Sequence, residues 1–198
     1  YGVQAVNDTT PITSSMNFTT VGSTTDNKAT ILNTIPSNTV FYAYTHALPG
    51  VFADCSGGPS YDPNYQALHY VYSSDVSGVA GNNMGSTPPY SFVYFHACQA
   101  AGDNTLANAF GVNGPPDRAF LGFTTDVDDS QRSESFSTRI WQDLQSGRTV
   151  AFAISDAKAR FPPQLNGRDN AAVPAYIGDM YTTVHNSVYG GTVGQWYK

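Results

Sequence analysis

The chain has 198 residues and a mass of 21.2 kDa, the size of one domain, and 40% of it is hydrophobic, enough for a substantial core. Only 12% of residues are charged, about half the usual share, which excludes a charged coiled coil and a charge-driven disordered chain. A net charge of −6, with no cluster of Lys or Arg, excludes the phosphate-neutralising footprint of a nucleic-acid binder.

The charges are also uneven in type. Glu134 is the sole glutamate, and lysine occurs only at Lys28, Lys158 and Lys198. Ser, Thr, Asn, Gly and Tyr cover the surface instead, a composition that predicts an extracellular or cell-surface protein. Asn7-Asp8-Thr9 and Asn17-Phe18-Thr19 match the glycosylation acceptor pattern. No run reaches the roughly 18 apolar residues of a membrane span, and the opening at Tyr1 is expected of a mature or excised piece.

In chain order, residues 1–25 are polar and Thr-rich and read as an extended arm, an irregular edge strand or a linker; residues 26–198 read as the folded domain. Asp26 is a candidate cap for a short helix carrying Ile31, Leu32 and Ile35, stopped by Pro36. Val40-Phe41-Tyr42-Ala43-Tyr44 is a buried strand ending in Thr45-His46. Residues 47–66 are rich in Gly and Pro and predict a long loop. Residues 67–73 predict a strand, and residues 78–89 another loop. Phe92-Val93-Tyr94-Phe95 is the second buried strand, running into His96-Ala97-Cys98, and a helix is expected through Leu106 and Phe110. Residues 118–125 make the third buried strand.

Phe136, Ile140 and Leu144 fall on one face of a helix over residues 130–146, with Gly147 as its C-terminal cap. A second helix over residues 148–160 turns Val150, Ile154 and Ala157 inward and stops before Pro162-Pro163. Residues 176–179 and 182–184 are expected late strands. Buried strands alternating with helices predict an α/β fold, a three-layer sandwich with a mainly parallel central sheet.

In such sheets functional groups gather at the carboxyl ends of strands. His46 stands just past one apolar strand and Cys98 just past another. Were the strands neighbours and parallel, both side chains would emerge at one edge. An imidazole beside a thiol can generate thiolate, which attacks a carbonyl, and can then protonate the leaving amine. Two bland readings stand beside this one. Cys98 is a small buried hydrophobe, or it is bridged to Cys55, which lies in the loop after His46.

The other histidines offer no paired spacing for zinc. His69 and His185 are isolated and expected to be structural, and His96 is either packed or pocket-lining. Asp126, Asp128 and Asp129 form a carboxylate cluster, which reads as a solvated turn and helix cap, a weak calcium site without an EF-hand pattern, or part of a substrate pocket. No cofactor is implied.

The ordered set of segments resembles the caspase-like (clan CD) cysteine peptidases of the gingipain and CHAT type. It comprises a helix and strand ending in His46, then about 50 residues on a strand ending in Cys98 (FVYFHACQAAG). The strand AFLGF, the helix end DLQSGRTV and the late Tyr176-Ile177-Gly178-Asp179 follow. The likeness spans roughly residues 26–190. It implies a secreted thiol protease, a hydrolase of polypeptides, with Cys98 as nucleophile and His46 as general acid/base. The amides of Ala47 and Cys98 would form the oxyanion hole, and His96 would stand at a substrate-binding position. The chain departs from the family pattern in having Ala47 where glycine usually follows the histidine, and His96 where basic-specific members carry Asp. The rival expectation is a catalytically inactive caspase-like domain serving as an extracellular structural, adhesive or filament subunit, with self-assembly through the N-terminal arm.

Overall fold

The computed structural model describes residues 12, 19–21, 27–37, 40–54, 62–83, 90–128, 130–165, 168–184 and 192–197. Three apolar runs form the central strands β2 (Val40–Tyr44), β6 (Phe92–His96) and β7 (Ala119–Phe123), and every residue in them is buried. A strand buried on both faces has to be apolar throughout rather than alternating. Their sheet has six strands in the order β1-β11-β2-β6-β7-β10, with β1 over Thr19–Val21, β10 over Pro174–Gly178 and β11 over Thr192–Tyr197. All pairings are parallel except that of β10 with β7.

Helices cover both faces, so the molecule is a three-layer α/β sandwich. Phe41, Ala43, Val93, Phe95 and Phe120 point to one face. There they meet Ile31 of α1 (Lys28–Thr34), Val76 of α3 (Ser73–Asn83) and Leu106 of α4 (Thr105–Ala109). Val40, Tyr42, Tyr94, Leu121 and Phe123 point to the other, against α5 (Gln131–Gln145) and α6 (Val150–Arg160). Helix α2 (Pro63–His69) and a small antiparallel sheet lie between β2 and β6; that sheet is β3 (Ala47–Leu48), β4 (Val51–Ala53) and β5 (Tyr70–Tyr72). A two-stranded ribbon, β8 (Gln164–Leu165) with β9 (Arg168–Ala171), follows α6.

Helices α5 and α6 form as their sequence dictates. Ser130 accepts from the Ser133 amide, Thr149 from the Phe152 amide, and Gly147 takes a φ of 74° after the first helix. Phe136, Ile140, Leu144, Val150, Ile154 and Ala157 are all buried. Arg139 ties the pair by bridging Asp143, at 2.7 Å, and Asp156, which also takes Arg160 at 2.8 Å.

Several expectations required correction. The loop expected over residues 47–66 contains the β3–β4 hairpin and the start of α2, whose N-cap is Asp62 with Pro63 in the first turn. The strand expected over 67–73 shrinks to Tyr70–Tyr72, and α3 takes the first half of the loop expected over 78–89, whose residues 84–89 lie outside the described residues. The cap of α1 is Asn27, accepting from the Thr30 amide; Asp26 lies outside the described residues. Residues 182–184 contribute only an isolated bridge, Thr149 to Thr183. Within the N-terminal segment, Thr19–Val21 joins the chain's own sheet at its edge.

The opposite edge is blunted. Thr124 N–H donates to the Val173 carbonyl and Asp179 N–H to the Arg118 carbonyl, so by alternation residues 174, 176 and 178 turn their backbone outward. Pro174 has no N–H to offer a further strand. Gly178 has a φ of 97°, and a Cβ there would stand 2.5 Å from the Arg118 carbonyl oxygen and 2.8 Å from that of Val112. Gly178→Ala is therefore expected to cost about 1–3 kcal/mol, read as a lower urea midpoint with an unchanged slope; a wild-type midpoint would contradict this packing.

Candidate functional site

Register decides what meets at the carboxyl edge. Strands β2 and β6 pair in parallel, Val40 opposite Phe92 through Tyr44 opposite His96. The Thr45 amide extends the ladder by donating to the His96 carbonyl at 3.3 Å. His46 lies two residues beyond Tyr44 and Cys98 two beyond His96, so the two stand at equal steps past neighbouring strand ends. Cys98 packs on the side of the sheet that Tyr44 faces, against the core under α5.

His46 is exposed, and its carbonyl accepts from the Ala53 amide of β4. That bond makes 46 and 53 a hydrogen-bonded pair, so Ala47 falls in the next, non-bonded pair. Its N–H turns away from β4, to the outer edge of the small sheet. The methyl group of Ala47 is buried among Phe52 and its neighbours, and its φ is not positive. Alanine fits this backbone without strain, and glycine is not required.

Cys98 is a free thiol, half-buried against the α5–α6 side of the core; Cys55 lies outside the described residues. Its Sγ accepts from the Val127 amide and donates to the Val127 carbonyl, each at 3.4 Å. Gln99, next in the chain, has a φ of 51°, a left-handed conformation costly for a residue with a side chain. Its surroundings hold it there. The Gln99 amide donates to the Thr125 carbonyl at 2.9 Å, and its side-chain Nε2 to Asp126 at 2.9 Å. Ala101 N–H bonds the Phe123 carbonyl, and Gly122 makes room for that turn, since a Cβ there would come within 3.1 Å of the Ala101 nitrogen and methyl.

Burial pushes the Cys98 thiol above its ordinary range, and the Asp126 carboxylate adds to this; the Val127 amide acts in the opposite direction. At neutral pH the sulfur is therefore a thiol rather than a thiolate, and a base is needed to ionise it.

His96 is 2% exposed, packed in the core rather than lining an open pocket. Its ring stacks on Tyr44 at 4.3 Å, and Nδ1 lies 2.6 Å from the Ser137 hydroxyl. Burial lowers its pKa to about 3, so the ring is neutral. Asp126 is occupied by Gln99, and Asp128 accepts from the hydroxyls of Ser130 and Ser133, a cap at the start of α5. Asp129 lies outside the described residues, and among those described no three His, Cys, Asp or Glu side chains converge to hold a metal. His185 is also outside the described residues. Asp179 accepts from the Tyr181 and Asp117 amides and closes a turn.

Sequence reasoning passed over the pair of His69 and Asp54. Asp54 is fully buried, accepts from the Lys28 amide at 2.9 Å and lies 3.1 Å from His69 Nδ1. This carboxylate ties the starts of α1 and β5 to the hairpin that follows His46. The spacing of Asp54 and His69 carries no motif; only the β4–β5 pairing brings them together.

No protein-family model matches the chain, and no curated protein matches it. No helix among the described residues is long and apolar enough to cross a membrane.

Because Asp126 holds the thiol up, Asp126→Asn should lower the pH midpoint of Cys98 alkylation and speed labelling at neutral pH. Rates followed by intact mass would check this, and an unchanged midpoint would remove Asp126 from the electrostatics of the sulfur.

Proposed function

We propose that this protein is a cysteine endopeptidase of caspase-like type, acting outside the cell on polypeptides through Cys98 and His46. The observation that carries the proposal is the in-register pairing of β2 with β6, which brings the ends of both strands to one edge. The free Cys98 thiol and the strained Gln99 beside it add support, since backbone strain of this kind concentrates at functional sites. Localisation outside the cell rests on the sparsely charged, Thr- and Tyr-rich composition alone.

The chemistry follows from the state of the sulfur. His46 takes the Cys98 proton as the thiolate attacks the substrate carbonyl carbon, and the carbonyl π electrons move to oxygen. The amides of Ala47 and Cys98 would receive that oxyanion. Collapse of the tetrahedral adduct breaks the C–N bond, with His46 giving its proton to the leaving amine. Water, deprotonated by the same imidazole, then cleaves the thioester and restores the thiol. No cofactor enters this sequence.

A second reading is favoured by the state of the thiol. A sulfur raised by burial and closed in by Val127 also suits an inert caspase-like domain used as an extracellular structural, adhesive or filament subunit. Self-assembly belongs to that reading.

Cys98→Ala should abolish both polypeptide hydrolysis and thiol labelling at that position while leaving far-UV circular dichroism unchanged. Cleavage that survives in this variant would contradict the peptidase. A wild-type Cys98 that resists alkylation in the folded state, in a protein that elutes as an assembly, would favour the inert subunit.

A further inference from the structure

His96 is a buried titratable group that the proposed chemistry leaves unused. Phe92, Tyr94, His96 and Cys98 alternate with Val93, Phe95 and Ala97, so His96 lies directly beneath Cys98 in one row facing α5. Its ring is fixed on all sides. Tyr44 stacks on it, Phe123 meets it edge-on at 5.1 Å, and Tyr94 and Ser137 contact Nδ1 at 3.2 and 2.6 Å.

Tyr94 OH and Ser137 Oγ are themselves 2.8 Å apart, closing a triangle of polar atoms in an apolar interior. Two arrangements place every hydroxyl proton within that triangle. Tyr94 O–H donates to Ser137 and Ser137 O–H to His96 Nδ1, or Ser137 O–H donates to Tyr94 and Tyr94 O–H to Nδ1. In both Nδ1 accepts; with a proton on Nδ1, one proton of the triangle would have no acceptor within it. The proton of the neutral ring therefore sits on Nε2.

That Nε2 is buried and has no hydrogen-bond partner. An orphaned buried donor costs about 1–3 kcal/mol, and such groups are rare in native interiors. The Asp128 backbone favours the protonated ring, although Nε2 makes no hydrogen bond. Asp128 belongs to the same short loop as Val127, whose amide and carbonyl both engage the Cys98 sulfur. One loop thus bonds Cys98 and acts electrostatically on His96.

We infer that His96 is a positioning residue for Cys98, its Nε2–H reserved for the backbone of the Asp126–Asp128 loop, which seats Val127 on the sulfur. The inference rests on reading Cys98 as the nucleophile only in assigning the device a purpose; the coupling of ring, loop and thiol stands on its own geometry. A small inward movement of the loop, as on closing over a substrate, satisfies Nε2 and fixes the sulfur at once. The charged and titratable groups around this unit are Tyr44 on the ring, Tyr42, Tyr94 and Glu134 below, Asp126 beside the thiol, and Asp128 in the loop, its carboxylate held by Ser130 and Ser133.

The test is the pH–rate profile for iodoacetamide alkylation of Cys98 in a Cys55→Ser background, comparing wild type with His96→Gln, His96→Asn and His96→Phe. Gln carries an amide to the Nε2 position, whereas Asn reaches only the Nδ1 position and Phe offers no donor. Burial is the largest cause of the raised thiol value, so loosening the loop should move the midpoint down toward the ordinary thiol range in the Asn and Phe variants. The Gln variant should keep the wild-type midpoint. Where hydrolysis is measured, the Asn and Phe variants should lose kcat by roughly 10- to 100-fold, with KM little changed.

Identical midpoints in all folded variants, or a Gln variant behaving like Phe, would overturn the inference. Should His96→Phe fail to give a native near-UV spectrum, the Asn and Gln pair makes the same comparison. A wild type that shows the expected profile but cleaves no polypeptide counts against the peptidase alone and leaves the coupling standing.

Discussion

The parallel ladder between β2 and β6 is the constraint on which the rest of the structure depends. Both strands are buried on both faces, so every side chain has a fixed side to occupy. A slip by one residue would exchange the Phe41, Val93 and Phe95 face for the Tyr42 and Tyr94 face, and move the Tyr42 and Tyr94 hydroxyls into the layer now filled by phenylalanine and valine. Tyr42 and Tyr94 stack at 5.0 Å across the pair, and Trp141 of α5 meets Tyr42 edge-on at 5.5 Å. On the other face Phe41 packs at 4.8 Å from Phe110 and 5.2 Å from Phe95. Aromatic packing on two sides thus sets the register. The register in turn sets the ends of β2 and β6, far apart in sequence, at one edge of the sheet.

At the end of that ladder several departures from the usual local rules gather. Around Cys98 a glutamine adopts a left-handed backbone, a histidine donor lacks an acceptor, and a carboxylate stands where it disfavours thiolate. Local violations cluster where function is paid for by the surrounding fold. The small sheet after His46 serves the same edge. It anchors the His46 carbonyl, turns the Ala47 amide outward and is itself pinned by the buried Asp54 carboxylate.

Much of this architecture was legible in the sequence. The runs VFYAY, FVYF and AFLGF are apolar without interruption, a pattern that only doubly covered strands require, and the periodicity of Phe136, Ile140 and Leu144 marks α5 unambiguously. The small sheet was not legible, because Ala47–Leu48 and Val51–Ala53 are too short to show a period and sit among glycines and prolines. Strand β11 went unread for a different reason. Thr192–Tyr197 carries polar residues, and its place in the sheet comes from pairing with β1 and β2 rather than from hydrophobicity. Cys98 and His46 could be singled out from their positions after strands. The roles of Asp126 and Val127 could not, because only the packing of the loop after β7 against the turn after β6 creates them.

The adjacency of positions 46 and 98 is tested most directly by crosslinking. In a His46→Cys, Cys55→Ser double variant, treatment with a short bifunctional methanethiosulfonate should yield one intramolecular bridge between position 46 and Cys98, seen by intact mass as a single linked adduct. Two independent monoadducts, with no bridge in the folded protein, would separate the groups and contradict the shared edge.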